Sequence, residues 1–506
     1  MTTRRSSTLT MRGVTLGGLF LAVSGLAGCA VGPDYKTPSL TLPARWGSEP
    51  AKLTPRAPQL AQWWERLNDP ILNGLIDDAV AGNLDVATAK AKIREARATR
   101  RQAIGNLAPS INGSGEAQGA KAGSTSLVGA YPAEGQFQAS FDATWELDIF
   151  GANRRTVEAD TYAVEASGDD LRSTLVTLIG DVASNYAEAR GYQARIELAQ
   201  STAASELKTA TLTRTKFQVG SSSAVDVSNA VGQAATTEAQ IPLLRAYFAT
   251  TVHSLAVLLG RSPSDLDNLM KKSRPIPSPH LPIPTGIPAA ILDSRPDIKA
   301  AERRLGEYTA KIGASEAALY PSVSLTGNIE TSGTRLGNLG KGSSISWSIG
   351  PSVTVPIFNG GSLAAAVDVS RAQRDQYFIS YRSTVLTALK DVENAIVNLA
   401  QERDRRLKLT TSVNAYQQAA NLAQALYKEG AQSFLELLTA ERSLYSAQET
   451  LIQSNVSIAT YYISLNKALG GGWNGAMDVM KPEVVDTNTG PHLDPAGAQW
   501  QGFGAN

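Results

Sequence analysis

The 506-residue sequence predicts an α+β fold that is built twice along the chain. Between Ala152 and Gly220, apolar residues recur every seven positions, which is typical of long helices that pack side by side. The region from 83 to 260 returns in similar form from 295 to 470, so these helices are expected in duplicate. Each copy also contains short segments in which polar and apolar residues alternate, and this period of two indicates β-strands.

The N-terminal region has the features of a secretory signal. Residues 1–28 combine three arginines with an apolar segment that is too short to span a membrane as a helix. The segment ends in Leu26-Ala27-Gly28-Cys29, which resembles a bacterial lipobox, so an N-acyl and S-diacylglycerol lipid is expected on Cys29. By resemblance to known sorting rules, Ala30 after the cysteine favours the outer membrane. An ordinary signal peptide followed by a chance cysteine is the alternative.

The long helix is expected to turn at Gly220 and to return as a shorter helix that ends near Gly260. The same plan follows 210 residues later, with a turn at Gly430 and an end near Gly470. A proline-rich segment between the copies indicates an extended connector. The predicted divisions are a signal peptide (1–28), an N-terminal segment (29–82), a first repeat (83–260), a connector (261–294), a second repeat (295–470) and a C-terminal tail (471–506).

Each repeat contains two predicted strands. Residues 136–148, 322–330 and 344–355 place aromatic and aliphatic side chains at one parity and polar side chains at the other, and 110–118 does so weakly. Alternation with aromatic residues on the apolar face is typical of membrane β-barrel strands, whereas a half-buried hairpin of a soluble protein is the alternative. The residues expected to face a water-filled lumen are Asp142, Glu146, Ser346 and Ser348.

Four strands cannot close a membrane barrel on their own. An open sheet would expose unpaired backbone groups to lipid, where they are costly. A barrel wide enough for a channel needs about eight strands or more. Oligomerisation is therefore expected; three chains would supply twelve strands, and the pattern leaves other multiples open.

Short motifs make the prediction more specific. They are Cys-Ala-Val-Gly-Pro-Asp-Tyr at 29–35, Ile-Phe-Gly at 149–151, Ile-Phe-Asn-Gly at 357–360 and Leu-Gly-Gly-Gly-Trp at 469–473. With them, residues 29–475 resemble the TolC/OprM-type outer membrane efflux channels, specifically the NodT-like lipoproteins of resistance–nodulation–division pumps. This resemblance implies an α+β membrane channel. It would be a homotrimer with a twelve-stranded β-barrel in the outer membrane of a Gram-negative bacterium, a helical α-barrel in the periplasm and an equatorial collar.

The resemblance also implies a function. The chain would be the outer membrane exit duct of a tripartite efflux pump, passively conducting drugs or other small molecules out of the periplasm. The expected partners are two further copies of the chain, a periplasmic adaptor (a membrane fusion protein), an inner membrane resistance–nodulation–division transporter and outer membrane lipid. Metal-ion efflux and type I protein secretion share this architecture and stay open as alternatives. A periplasmic coiled-coil adaptor or scaffold is a more distant alternative.

An enzyme is the main competing class, and the composition argues against it. The three histidines are far apart and the single cysteine is the predicted lipidation site, so neither a His/Cys metal cluster nor a cysteine nucleophile is available. No catalytic residue, cofactor or bound metal is expected. Removal of the three signal arginines lowers the formal charge from +1 to −2, which gives no electrostatic support for nucleic-acid binding.

Within this resemblance, the turns at Gly220 and Gly430 become the periplasmic tips of the channel. Asp226 and Glu436 each follow a serine by three positions, in the pattern of a capping box at a helix start. Repeated in a trimer, the two acids would also place six carboxylates near the mouth, and such a ring would attract cations. The capping role and the ring are compatible.

Family members often carry Leu-x-x-x-Asp-x-x-Arg at the start of the second return helix, where the aspartate narrows the closed mouth. Here the matching residues are Leu435, Thr439 and Arg442, so a threonine replaces the acid. An acidic constriction would therefore depend on Glu436 or Asp226. The resemblance makes the region around Leu435 and Arg442 the expected dock for the adaptor; a solvated surface position is the alternative for Arg442.

Overall fold

The computed structural model describes residues 30–44, 46–47, 60–120, 134–279, 295–475 and 477–484. The predicted signal peptide, Cys29 and most of the predicted C-terminal tail lie outside these residues. A short 3₁₀ helix at Trp63–Leu67 leads into α1 (Pro70–Gly82). The first repeat then consists of α2 (Leu84–Gly105), β1 (Ser110–Ala120), β2 (Glu134–Glu146), α3 (Ala152–Gln218) and α4 (Ala224–Leu258).

The second repeat has the same order of elements, so the predicted duplication is confirmed. Between the repeats, a 3₁₀ helix at Pro263–Leu266 and the single turn α5 (Asp267–Met270) make the first part of the connector helical. Residues 271–279, which contain the first prolines of the connector, have neither helix nor strand, as predicted. The second repeat consists of α6 (Pro296–Ala317), β3 (Ser322–Gly333), β4 (Ile345–Thr354), α7 (Ser362–Glu429) and α8 (Phe434–Ala468).

The two long helices are continuous. α3 has 67 residues and α7 has 68, which corresponds to a length of about 100 Å each. The seven-residue apolar stripe is buried along most of α3 and becomes exposed at its last member, Phe217. Close packing of α3 against α8 requires Gly191, because a Cβ atom there would lie 2.4 Å from Val456 Cγ2. The long helical hairpins that the periodicity predicts are therefore confirmed.

The four strands form one antiparallel sheet in the order β1-β2-β3-β4, and the β2–β3 pairing joins the two repeats. Phe141 lies opposite Ile329, which lies opposite Trp347, so one face of the sheet is apolar. This face is open in the protomer, with Trp347 73% exposed. Among the described residues β1 and β4 each pair with a single strand, so the sheet has two open edges. The predicted alternation is confirmed, and the apolar face requires a lipid or protein partner.

β2 ends two residues earlier than the alternation predicts, at Glu146 rather than at 148. Asp148 instead serves the start of α3, where its carboxylate accepts the backbone amides of Asn153 and Arg154 at 3.0 and 2.8 Å. The first amides of a helix have no carbonyl partner within the helix, so an acid placed just before them is stabilising. The demands of helix capping thus override the strand pattern at this junction.

The largest hydrophobic core lies midway along the long helices, where segments from both ends of the chain pack against them. Trp64 stacks on Trp473 with 6.4 Å between ring centroids. Tyr462 of α8 donates its hydroxyl to the Trp63 carbonyl at 3.2 Å, and Tyr186 of α3 donates to Asp69 at 2.5 Å. These contacts close the N-terminal and C-terminal segments around the middle of the helices.

A buried arginine holds the first described residues. Arg155 of α3 donates to the carbonyl oxygens of Val31 and Gly32 at 3.1 Å each and to Asp34 at 2.9 Å. Its side chain is 6% exposed. Gly32 has a φ of +92°, and a Cβ atom there would lie 2.3 Å from the Cα of Gly313, so only glycine fits. The N-terminal segment is therefore fixed against both α3 and α6.

Replacing Arg155 by alanine should release this segment. The carbonyl oxygens of Val31 and Gly32 would lose a charged donor, which is expected to lower the free energy of unfolding by about 1–3 kcal/mol. The measurements are the unfolding temperature of the detergent-solubilised protein and the rate of proteolysis near its N-terminus. Arg172→Ala is the matched control, because that arginine lies in the same helix with a side chain 69% exposed. Equal losses in the two variants would contradict the role given to Arg155.

Candidate functional site

The two hairpin tips are built alike. Gly220 follows α3 with a φ of +79°, and Gly430 ends α7 with a φ of +79°. Glycine adopts this left-handed conformation without strain, which is why it commonly ends helices. In each tip a backbone amide donates to the carbonyl oxygen five residues earlier, at 2.8 and 2.9 Å. Both long helices therefore reverse direction through the same turn.

Each return helix begins with a capping box, as the sequence predicts. The Asp226 amide donates to Ser223 Oγ at 3.0 Å, and the Ser223 amide donates to Asp226 Oδ2 at 3.0 Å. Ser433 and Glu436 exchange the equivalent bonds at 3.4 and 3.0 Å. The hydrogen bond from the Ser223 amide holds the pKa of Asp226 below its usual value, so this carboxylate is charged at neutral pH. Asp226 is partly exposed and Glu436 is exposed, so both carboxylates also reach solvent.

The three motif residues at the start of α8 have different surroundings. Leu435 is 66% exposed and adds an apolar side chain to the surface of the tip. Thr439 donates its hydroxyl to the Leu435 carbonyl at 2.8 Å, so its polar group is bonded within the helix. Arg442 donates from Nε to Gln233 Oε1 of α4 at 2.6 Å. Arg442 therefore links the second hairpin to the first rather than pointing only into solvent.

A small hydrophobic core lies close to the tips, separate from the core at mid-length. Tyr427 of α7 packs edge-on against Phe434 with 5.9 Å between ring centroids, and Leu437 is fully buried in the same cluster. Tyr427 also donates its hydroxyl to Thr213 Oγ1 of α3 at 2.9 Å. This core thus joins the two hairpins through one polar bond as well as through apolar packing.

Two acids absent from the sequence-based candidates lie a few turns from the tips. Glu206 of α3 is 3% exposed, and its Oε1 accepts a hydrogen bond from Gln233 Nε2 at 2.9 Å. Glu441 of α8 is partly buried and accepts a hydrogen bond from Thr209 Oγ1 at 3.1 Å. Burial raises the pKa of both carboxyls, and the charge of Glu206 raises that of Glu441 further. Glu206 lies three residues after Ala203 of the apolar stripe, which is a core position of the heptad. An acid at a core position is unusual, and this is the sequence feature that could have identified Glu206.

The residues predicted to face a lumen lie on one face of the sheet; they are Asp142, Glu146, Ser346 and Ser348. Asn328 of β3 lies between two of them and donates to Asp142 Oδ1 at 2.6 Å. Glu330, which was not among the candidates, belongs to the same face and accepts from Ser346 at 3.0 Å. A continuous polar face therefore opposes the exposed apolar one, and its assignment to a lumen stays a prediction.

In the described part of the chain, no group of three or more His, Cys, Asp or Glu side chains is placed to hold a metal ion. What the tips contain is a set of polar and charged contacts between two helical hairpins. Contacts of this kind can hold two helices together, and the helices can separate when these hydrogen bonds or charges change.

Comparison with known proteins places these features in a family. The family model for outer membrane efflux proteins matches residues 75–261 and 287–471. Nodulation protein T of Rhizobium leguminosarum bv. trifolii is 34% identical over 451 residues, which cover 89% of this chain and 96% of that protein. The toluene efflux pump outer membrane protein TtgC of Pseudomonas putida is 34% identical over 466 residues, 90% of this chain and 95% of that protein.

A solved structure agrees with these matches. The outer-membrane channel OprN superposes with a TM-score of 0.82 at 33% sequence identity, over 88% of this chain and 100% of that chain. The residues matched by the family model include the four strands and both tips.

Arg442→Ala should loosen the contact between the hairpins. Loss of its bond to Gln233 is expected to cost about 1 kcal/mol, near the low end for a charged hydrogen bond because solvent screens an exposed side chain. Backbone amides of residues 226–235 and 434–445 should then exchange with deuterium about fivefold faster, as measured by mass spectrometry. Arg403→Ala, at an exposed arginine of α7, should leave these rates unchanged. Identical exchange in wild type and Arg442→Ala would show that this bond does not hold the hairpins together.

Proposed function

The chain belongs to the outer membrane efflux protein family, and on that premise we propose that it conducts drugs or other small molecules passively, as the exit duct of a tripartite efflux pump. The chain lies in the outer membrane of a Gram-negative bacterium, with its helices forming a tunnel in the periplasm. The observation that carries the proposal is the junction of a sheet with an exposed apolar face to two helical hairpins about 100 Å long. Such a sheet suits lipid, and helices of this length suit passage through an aqueous compartment.

The working form is a homotrimer. β1 and β4 leave two open edges, and unpaired backbone groups are costly in lipid, so strands of neighbouring copies pair with them. Three copies supply twelve strands, enough for a barrel with an open lumen.

The apolar surface of α4 supports the same conclusion. Among the described helices α4 is the one long and apolar enough to cross a membrane. Its most apolar 18-residue stretch has a mean hydropathy of 1.3, yet only 22% of that stretch is buried within the protomer. A neighbouring copy in the tunnel wall would cover it.

The duct acts together with a periplasmic adaptor and an inner membrane resistance–nodulation–division transporter. A passive channel has no energy source of its own, so transport against a gradient requires an energised partner. Val219, Val225 and Leu435 are exposed apolar side chains at the two tips, and they give an adaptor a hydrophobic contact at the end of the tunnel. The toluene efflux relative is by name a pump component, which supports the same role here.

An N-acyl and S-diacylglycerol lipid on Cys29 anchors the chain to the periplasmic face of the outer membrane. The Val31 amide donates to the Phe150 carbonyl at 3.1 Å, and Phe150 lies between β2 and α3. Two residues beyond the cysteine, the chain is therefore next to the junction of sheet and tunnel. A membrane surface would lie at this level if the sheet spans the lipid, which supports acyl chains entering the membrane beside the barrel.

The family is one of passive channels, and the chain is proposed to have no catalytic activity of its own. The lipobox and the Gly-Gly-Gly-Trp ending favour the drug and small-molecule branch over metal-ion efflux or type I protein secretion.

Deletion of the gene tests this proposal directly. With adaptor and transporter expressed, the deletion strain should become several-fold more sensitive to a panel of antibiotics, dyes and detergents, because cargo can no longer leave the periplasm. Minimal inhibitory concentrations measure the effect, and the wild-type gene should restore them. A heat-resistant trimer in the outer membrane fraction of the complemented strain serves as the control for assembly. Unchanged sensitivity across the whole panel would count against drug export.

Asp226→Asn combined with Glu436→Gln should reduce the preference of the channel for cations. Six carboxylates per trimer would become neutral, while the amide side chains keep an oxygen that can cap the helices. The reversal potential in planar bilayers should show a several-fold lower cation-to-anion permeability ratio. The difference should shrink between about 0.1 M and 1 M salt, because the Debye length falls from about 10 to about 3 Å. Asp77→Asn, at an exposed acid of α1, is the control. Unchanged selectivity of intact trimers would leave these acids with their capping role only.

A further inference from the structure

Glu206 and Glu441, the acid pair, belong to different hairpins but meet at one helix contact. Thr209 lies one helical turn after Glu206, so the two residues share a face of α3. Thr209 donates to Glu441 Oε1 at 3.1 Å, which brings the second carboxyl to that face. The acid pair therefore lies in the contact between α3 and α8, about 18 Å from the end of α3 at a rise of about 1.5 Å per residue.

The surroundings of the acid pair are short of positive charge and leave one buried carboxylate oxygen without a hydrogen bond. Glu206 is 3% exposed, and its Oε2 is a buried oxygen without a hydrogen-bond partner among the described residues. A cavity of about 130 Å³ lies beside the two carboxyls and is also lined by Ser205, Tyr445 and Gln448. A buried carboxylate without a counter-ion is costly, whereas a protonated one supplies a donor of its own.

The charges that face the acid pair come from three helices. On α8, the Arg442 guanidinium acts on Glu206 but donates its Nε proton to Gln233, and Tyr445 is uncharged at neutral pH. Between α3 and α8, Arg195 is paired with Glu449 at 2.5 Å and so neutralises that acid. On α4, Gln233 and Thr237 lie beside Glu206, and both are neutral. Arg442, which is already bonded to Gln233, is thus the cation that acts on Glu206, and the charge of Glu206 in turn acts on Glu441.

We propose that the acid pair retains a proton in the contact between the hairpins and that losing it loosens the tip end of the tunnel. The role in conduction rests on the proposed function as an exit duct. With the proton bound, the pair carries one negative charge, which Arg442 balances, and α3 stays packed on α8. When the proton leaves to solvent, two like charges repel at a site of low dielectric.

The direction of the pH dependence follows from the raised pKa values. Burial raises the pKa of both carboxyls above the ordinary value of 4.5. The contact is therefore fully stabilised below about pH 4.5 and loses this stabilisation as the pH rises through the raised pKa. Each unit by which a pKa is raised corresponds to about a tenfold change in the ratio of closed to loosened contact.

The test is the conductance of the full-length trimer in planar bilayers between pH 5 and 8. Wild-type conductance should rise several-fold with pH, whereas Glu206→Gln and Glu441→Gln should keep the low conductance at every pH, because glutamine mimics the protonated acid. Glu197→Gln, at an exposed acid of α3, should retain the wild-type dependence. A wild-type channel without pH dependence, or variants that titrate like wild type, would overturn the proposal.

Infrared difference spectroscopy on detergent-solubilised trimers reports the proton without requiring conduction. A protonated-carboxyl stretch should persist above pH 4.5 in wild type and in Glu197→Gln, and it should lose intensity in both variants of the acid pair. Burial also raises the pKa of Asp160 and Glu188, so the difference between variants is the readout. A band that is unchanged in those variants would refute retention of a proton by the acid pair. A band that depends on the acid pair in a trimer that never conducts would instead count against the exit-duct function and leave the retained proton established.

Discussion

Backbone hydrogen bonding at the two edges of the sheet is the constraint on which the rest of the architecture depends. β1 and β4 each leave one side unpaired, and the face that carries Phe141 and Trp347 is apolar and open. Lipid cannot satisfy those edges, and in the proposed trimer strands of neighbouring copies do so. Once the sheets close, α3 and α7, which follow β2 and β4, are brought into a ring. The tunnel then follows from barrel closure. Helices that are joined to strands around a barrel are held at a distance from its axis, so they enclose a space.

Stability is distributed unevenly along that tunnel. At mid-length, aromatic side chains from both ends of the chain pack against the long helices in one large core. Near the tips, the core is small, and three polar bonds between described residues join the hairpins there, those of Tyr427 with Thr213, of Arg442 with Gln233 and of Thr209 with Glu441. Segments with few buried contacts open at low free-energy cost, so movement is expected at the tips rather than at the middle. Because the long helices are fixed at mid-length, a small bend of either helix displaces its tip, which lies tens of ångströms away.

Periodicity made most of the fold predictable, because seven-residue and two-residue patterns act within single elements. The duplication, the alternating strands and the capping boxes at Ser223 and Ser433 all follow from local sequence and are confirmed by the structure. The contacts at the candidate site were less predictable. Gln233 and Arg442 are 209 residues apart, and nothing local to either residue indicates the partner. Arg155 likewise donates to carbonyl oxygens more than a hundred residues away. Every residue has a backbone carbonyl, so the sequence does not indicate which carbonyl oxygens accept these bonds. Glu206 was not among the predicted residues either, although an acid at a heptad core position is a local signal that could have identified it.

The departure at Thr439 is best understood together with Glu441. Two residues along a helix correspond to about 200° of rotation, so the two side chains point to nearly opposite faces. Thr439 is exposed and bonds its own backbone, while Glu441 is turned towards α3 and partly buried. An acid on the exposed face would attract or repel passing ions, whereas an acid in the contact changes the stability of the packing between α3 and α8. If the acid pair retains a proton as proposed, moving the charge from one face to the other exchanges a permanent electrostatic barrier for one that titrates. In this chain the acids near the mouth are divided accordingly, with Asp226 and Glu436 reaching solvent and Glu206 and Glu441 held between the hairpins.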